Sequence, residues 1–358
     1  SNSGAPILHR FVNRQNAARP VALFKKNAKG HKACTPNEAV QQDAVHWSGF
    51  WQQPGAEVEA CNVLNEMRVK CKAELTVDAA SNMYDIPEFT ADELYKSASK
   101  YKKVSKGSDH WLASEIASLP VEMLKPIAKS VDMSVTSLAW PHQLMLNLMP
   151  ELGKEGGGFR TIAKTPKLYR LFVRTRKSAV QKWENGLVKG YDTACKGSSA
   201  LMAAADRAIF AEIAVRNNKK VCGTFFDNFK FFDTIQPRPL FDSFCDTGFP
   251  LADAALGFQM HMAPRVIMIN AVPSLPILID ASILAGCGYS VPWVKSLLHK
   301  GSVIVSSSHP MFKTYVDDCS NVAAGCGPEV EEVIVQCALA FNSQIVVKRK
   351  FKSSPKSA

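Results

Sequence analysis

Between residues 37 and 53 the apolar positions recur at helical spacing, with Trp47 and Trp51 four residues apart, until Pro54 and Gly55 break the pattern. A helix is predicted there, and a second over about residues 58 to 75. Thr90 to Leu94 reads TADEL, a capping-box pattern that opens a helix turning Lys-rich at Lys100, Lys102 and Lys103. Further helices are predicted over 112–117, 121–131 and 135–148, bounded by Pro120 and Pro150. Pro126 and Pro141 should kink or split the last two.

The pattern changes after the Gly-rich turn ELGKEGGGFR. A basic helix with an apolar and aromatic stripe is predicted over 164–182, and an Ala-rich, buried helix over 198–216. Short apolar runs then predict strands at 221–226, 266–270, 302–306, 313–316 and 345–347, with helical patterns between them at 240–245, 251–261, 291–298 and 330–341. Strands and helices mix without strict alternation, so the expected class is α+β, and no internal repeat is visible.

Charge narrows the partner. The chain has 43 Lys and Arg against 32 Asp and Glu, a net charge of +11 in 358 residues, which points to a polyanion and first of all to nucleic acid. Residues 1 to 35 carry seven basic residues and no acid, the composition of a basic arm or of a solvated tail. In 164–182 seven basic residues occur without an acid, and Lys164, Lys167, Arg170, Arg174 and Lys177 alternate with Leu168, Tyr169, Leu171, Phe172 and Val173. Such a stripe suits phosphate backbones, although a solvated face would look the same. Ten Cys with no C-x-x-C spacing exclude the common zinc motifs and read as reduced, intracellular thiols, with nucleus or cytoplasm as the expected compartment. The most apolar region, 266–285, is interrupted by Pro273, Pro276 and Asp280, so no membrane span is expected, and without a charged-then-apolar pattern in the first residues secretion is not expected.

Two acidic stretches carry the candidate chemistry: GTFFDNFKFFDTI, with Asp227 at the end of an apolar strand, and FKTYVDDCS, with Asp317 and Asp318. An Asp pair is a common turn signal, and a turn would account for Asp318 or Asp233. It does not account for two apolar strands that both deliver an acid, Asp227 and Asp317. Converging strand-end carboxylates suit hard, oxygen-seeking cations such as Mg2+ and the two-metal logic of phosphoryl transfer.

The order of segments resembles the reverse transcriptases of non-LTR (LINE-type) retrotransposons, over about residues 88 to 354. GGGFRTIAKTPKLYRLFVR resembles the family's fingers segment, FFDNFKFFDTI its motif A, ILAGCGYSVPWV its motif B and YVDD its motif C. The resemblance implies a right-hand polymerase: a palm over 221–358 with a mixed or antiparallel sheet packed on helices, helical fingers and pre-fingers helices over 88–220, and a basic arm and helical extension over 1–87. It implies RNA-directed DNA synthesis from RNA template, DNA primer and deoxynucleoside triphosphates, with two Mg2+ ions, or Mn2+, held by Asp227, Asp317 and Asp318. Phe232 matches the steric gate against the nucleotide 2′-hydroxyl, Arg160 the Arg that grips the triphosphate, and Gly286 the motif B Gly. There are departures. Glu151 follows Pro150 where many relatives have Lys, leaving Lys154 as the nearest replacement; Ala285 stands where Gln is common; and the chain stops about forty residues after Asp318, so primer grip and thumb are expected to be missing. An RNA-dependent RNA polymerase would share the acids, although Phe232 argues against it, and a degenerate copy would bind nucleic acid without synthesis.

Overall fold

The computed structural model describes residues 33, 35–77, 86–101, 105–153, 159–187, 189–269 and 271–352. Residues 1–32 and 34 of the basic arm, Lys102, Lys103, Lys154 and the last six residues lie outside them.

Five helices come first: α1 (Pro36–Trp51), α2 (Ala56–Val77), α3 (Ala91–Ser99), α4 (Ala113–Ala117) and α5 (Val121–Ser137). Capping boxes start α1 and α3, where Thr35 and Thr90 each accept from the backbone N–H of a Glu three residues on, and each Glu accepts in return. Pro126 does not split α5, which runs on to Leu138 in the left-handed region at φ 50. The helix expected over 135–148 does not form. Pro141 bars its continuation, and Asn147 to Pro150 instead pair with a buried strand.

That pairing builds the first sheet, from β1 (Asn147–Gly153), β2 (Phe159–Thr161), β4 (Arg265–Ile269) and β5 (Val272–Pro273) in the order β2-β1-β4-β5. Strand β1 is parallel to β4, whereas β2 and β5 pair antiparallel. The second sheet is antiparallel in the order β3-β7-β6, from β3 (Lys220–Phe226), β6 (Lys313–Tyr315) and β7 (Asp318–Gly325). The later helices are α6 (Lys167–Thr175), α7 (Lys177–Leu187), α8 (Ala200–Arg216), α9 (Pro237–Thr247), α10 (Leu251–Met262), α11 (Ser290–Ser308) and α12 (Gly327–Phe341). The fold is a mixture of helices and small sheets, with α10 and α11 as its centre. There Gly257 lets Trp293 and Tyr289 approach so closely that a Cβ would lie 2.7 Å from the Trp293 ring.

Three local expectations give way to packing. Residues 302–306 are helical within α11, because burying Gly301, Ser302 and Val305 on one helical face outweighs the β preference of Val303, Ile304 and Val305. Residues 345–347 form no strand; they belong to a wide helical turn, Asn342–Val347, that extends α12 and seats Ile345 against Gly301. Helix α8 is not buried: Ala203 and Ala214 are, but Leu201, Met202, Ile209, Ile213 and Val215 are exposed. Among the described residues, one helical stretch, Gly327–Val347, is long and apolar enough to cross a membrane. It carries Glu331 and Glu332 and packs Val330, Cys337 and Phe341 into the core.

Candidate active site

The antiparallel register of β3 and β7 sets the central geometry. Phe226 faces Cys319, so Asp227, one residue past β3, comes abreast of Asp318 at the start of β7. Strands β6 and β7 are joined by a two-residue turn, Val316 and Asp317, closed by the pairing of Tyr315 with Asp318. Val316 has φ 58, a conformation a β-branched residue avoids, and the strain falls beside the acids. Asp227 and Asp317 line one cleft of about 700 Å3. Burial lifts the Asp317 carboxyl to about 6, helped by the negative charges of Asp318 and Asp227. Asp318 is also raised, by burial and then by Asp227. Three acids are thus held where their charges oppose one another.

Other walls of the same cleft come from distant segments. Arg160 on β2, Ile162 just after it, Phe232, Ala285 and Gly286 all line it. Phe232 is half-buried and sits edge-on to Phe231, which is buried against Phe351. The carbonyl of Phe232 accepts from the N–H of Ile283 at 2.9 Å, and the carbonyl of Ala285 accepts from the N–H of Ala163 at 3.3 Å, which knits these segments together. Gly286 has φ +95, a conformation side-chain-bearing residues rarely adopt, and a Cβ there would lie 3.7 Å from Ile162. The helix after this loop is anchored by a buried group in which Arg176 donates to both oxygens of Asp253 at 2.9 and 2.8 Å, and the Tyr289 hydroxyl donates to the same carboxylate at 2.6 Å.

The expected basic face divides. Lys164 is half-buried, bridging by backbone to Leu148. Lys167 is fully buried, its ammonium 4.3 Å from the Tyr101 ring centre, and burial lowers it to about 8. Arg170 donates to the hydroxyl and carbonyl of Ser105 at 3.0 and 3.1 Å. Arg174 and Lys177 are exposed. The physical reason is that the first turn of α6 packs against Tyr101, Ser105 and Asp109, so Lys167 is unavailable to a phosphate. A second cleft, of about 630 Å3, has Arg170, Arg174, Lys177 and Lys196 in its wall and shares Gly286 with the first.

Sequence reasoning gave no site role to Trp47, Asn228, Lys230 or Arg265, all of which line the first cleft. Asn228 is buried, and neither end of its amide has a hydrogen-bond partner among the described residues. Lys230 stood visibly between aromatic runs, but nothing in the pattern around Trp47 announced more than a helix.

No protein-family model matches the chain, and no curated protein matches it. Among solved structures, apo telomerase from Candida tropicalis truncated from the C-terminal domain is similar, with a TM-score of 0.45 and 12% identity over 60% of this chain. The chain spans half the length of that structure, the match covering 50% of it.

Proposed function

We propose that this chain is an RNA-directed DNA polymerase of the non-LTR retrotransposon type. The observation that carries the reading is a single cleft that unites Asp227 and Asp317 with Arg160, Phe232 and Gly286, residues drawn from four separate segments.

The donor set suits Mg2+, with Mn2+ as an alternative. It offers only carboxylate oxygens, and the carboxyls of Asp317 and Asp318 are raised first by burial and then by neighbouring negative charge, a cost that a divalent cation would offset. Asp227 and Asp317 would hold the metal, with Asp318 beside them. Among the described residues no group of three or more His, Cys, Asp or Glu side chains is placed to hold a metal ion by itself, so substrate oxygens would have to complete the shell. An open carboxylate site is what Mg2+ uses when substrate phosphates complete its shell. Bound there, two such ions supply the positive charge that activates a primer 3′-hydroxyl and stabilises the departing pyrophosphate.

The remaining roles belong to the chain. Arg160, a planar and permanently charged fork, binds the phosphates of the deoxynucleotide. The Phe232 ring fills the space a ribose 2′-hydroxyl would need, and Gly286 lets the nucleotide and template approach the backbone. The second cleft, with exposed Arg174 and Lys177, carries the template strand. In this reading residues 221–358 act as palm, 88–220 as fingers and 1–87 as an extension.

The test is primer extension on an RNA template with Mg2+ and four deoxynucleotides, repeated with four ribonucleotides. Extension with deoxynucleotides that disappears in Asp317→Asn is the expected result. Nucleic-acid binding without extension by the unmodified protein would identify a degenerate copy, and equal use of ribonucleotides would identify an RNA polymerase.

A further inference from the structure

The turn that carries Asp317 is strained, and the strand leading into it is short. Val316 has φ 58, and β6 is a three-residue strand at the edge of its sheet, so pairing with β7 alone is a slender hold on the turn. Residues 190–193 cover the outer edge of β6. The Thr314 N–H donates to the carbonyl of Tyr191 at 2.8 Å, and the Thr314 carbonyl accepts from the N–H and the hydroxyl of Thr193 at 2.9 and 2.6 Å. The Lys313 ammonium donates to the carbonyl of Gly190 at 2.6 Å.

One buried ammonium fastens this segment to the helices. Lys295 on α11 donates to the carboxylate of Glu184 on α7, to that of Asp192 at 2.9 Å and to the carbonyl of Ala194 at 2.7 Å, so its N–H donors meet acceptors from two separate stretches of chain. The side chains of Lys295, Glu184 and Asp192 are only 6, 13 and 10% exposed, which leaves neither carboxylate a solvent substitute for the ammonium. Burial opposes the charge on Lys295, but the bonds to Glu184 and Asp192 outweigh it and hold the amine above its ordinary value. Asp192 also accepts from the N–H of Ala194 at 2.9 Å, and the Tyr191 hydroxyl shares a 2.7 Å hydrogen bond with Nδ1 of His299. Val316, Thr314, Asp192, Lys295 and His299 line one cavity of about 20 Å3, so the strained residue lies next to the ion group.

We infer that Lys295 is a positioning residue for the metal site: its ammonium fastens residues 190–194 to α7 and α11, and that segment, hydrogen-bonded along β6, holds the strained turn that carries Asp317. The inference rests on the nucleotide-polymerising reading and adds to it a support for Asp317 that lies outside the first cleft. A strained backbone persists only where its surroundings over-determine it, and a short edge strand does not do so unaided. Ala194, Cys195 and Lys196 of the same segment line the second cleft, so one ammonium joins the wall of that cleft to the turn.

The experiment uses the full chain and single-nucleotide addition of dTTP on an RNA template. Lys295→Met should lower kcat about tenfold or more and raise the half-saturating Mg2+ concentration about fivefold, with KM for dTTP within about threefold. Lys295→Arg, which keeps the charge, should lose less. Because Lys295→Met strands two buried carboxylates, Thr193→Val serves as the second variant: it removes one hydroxyl bond to β6 and no charge, and should shift kcat and the Mg2+ requirement in the same direction by about threefold. A lower melting point with kcat and Mg2+ requirement unchanged in folded Lys295→Met, or in Thr193→Val should the first variant not fold, would overturn the inference. Hydrogen exchange of the metal-free protein and equilibrium binding of Mn2+ read the same support without turnover. Backbone amides of 313–320 should exchange about tenfold faster in Lys295→Met, and Mn2+ should bind more weakly. Those two changes in a protein that extends no primer would overturn the polymerase reading and leave this one standing. Unchanged exchange over 313–320 would overturn this one.

Discussion

The indole N–H of Trp51 donates a 2.8 Å hydrogen bond to Asp233, joining the N-terminal helix to the second acid of the FFDNFKFFD segment across 182 residues of chain. Burial raises the Asp233 carboxyl, and the Trp51 hydrogen bond and Arg265 pull it back. Asp233 is therefore a structural acid. Trp51→Phe keeps most of the packing and removes the donor, and should cost about 1 to 3 kcal/mol in urea unfolding. Asp233→Asn should keep metal-dependent extension while Asp317→Asn loses it. Equal loss in both would place Asp233 among the metal ligands.

Asp317 gives a pH dependence whose sign can be worked out. Its carboxyl is raised from an ordinary 3.8 to about 6, so the folded protein holds this proton more tightly than the unfolded chain does. The resulting stability is fully present below pH 4 and is lost as pH rises through about 6. After allowance for solvent screening it is on the order of 2 kcal/mol. Asp317→Asn should therefore raise the melting temperature of the metal-free protein at pH 8 and change it little at pH 4. Mg2+ should stabilise the unmodified protein at pH 8 more than the variant. A variant less stable than its parent at pH 8 without metal would contradict the assignment.

Phe232 and Gly286 shape the cleft in different ways, and their variants should separate. Phe232→Val opens space beside the sugar, so the ratio of ribonucleotide to deoxynucleotide kcat/KM should rise by about tenfold or more, with little change in the melting curve. Gly286→Ala meets no close neighbour, and its cost comes from the positive φ, about 1 kcal/mol of stability. Its Cβ would also enter the nucleotide space, so kcat/KM should fall for both sugars alike. A changed sugar preference in Gly286→Ala would show that the loop, and not the ring, senses the 2′-hydroxyl.

How far the site could be read from sequence depends on how local its causes are. Asp227 and Asp317 were legible because an apolar strand ending in an acid is a pattern of adjacent residues, and the antiparallel register then brings the strand ends together. Lys167 was misjudged because its composition matched a surface stripe, while its burial depends on Tyr101, which the pattern of its own helix does not mention. Trp47 was legible only as one face of a helix. Its partner Glu151 is 104 residues away, and nothing short of the packed fold connects them. Residues 302–306 misled in the same manner: their β preference was real, but burial of Val305 against the core decided the helix.

The divided basic face yields the last expectation. Arg174 and Lys177 are exposed beside the second cleft, whereas Lys167 is fully buried and makes no hydrogen bond among the described residues. Each phosphate contact contributes roughly 0.7 to 0.9 log units of affinity per log unit of salt, so Arg174→Ala with Lys177→Ala should flatten the slope for RNA by about 1.5. Lys167→Met should leave the slope unchanged. Its effect should be on stability, and the sign follows from the lowered amine: about 8, below the ordinary 10.5, so near pH 7 the folded state carries a charge it would rather lose. Replacing the ammonium with a thioether of similar length removes that desolvation cost at the expense of the Tyr101 contact. Because the net shift is downward, desolvation is the larger effect, and Lys167→Met should melt higher than its parent at pH 7, with the difference shrinking toward pH 10. A lower melting point together with a flatter salt slope would mean that Lys167 reaches a phosphate after all.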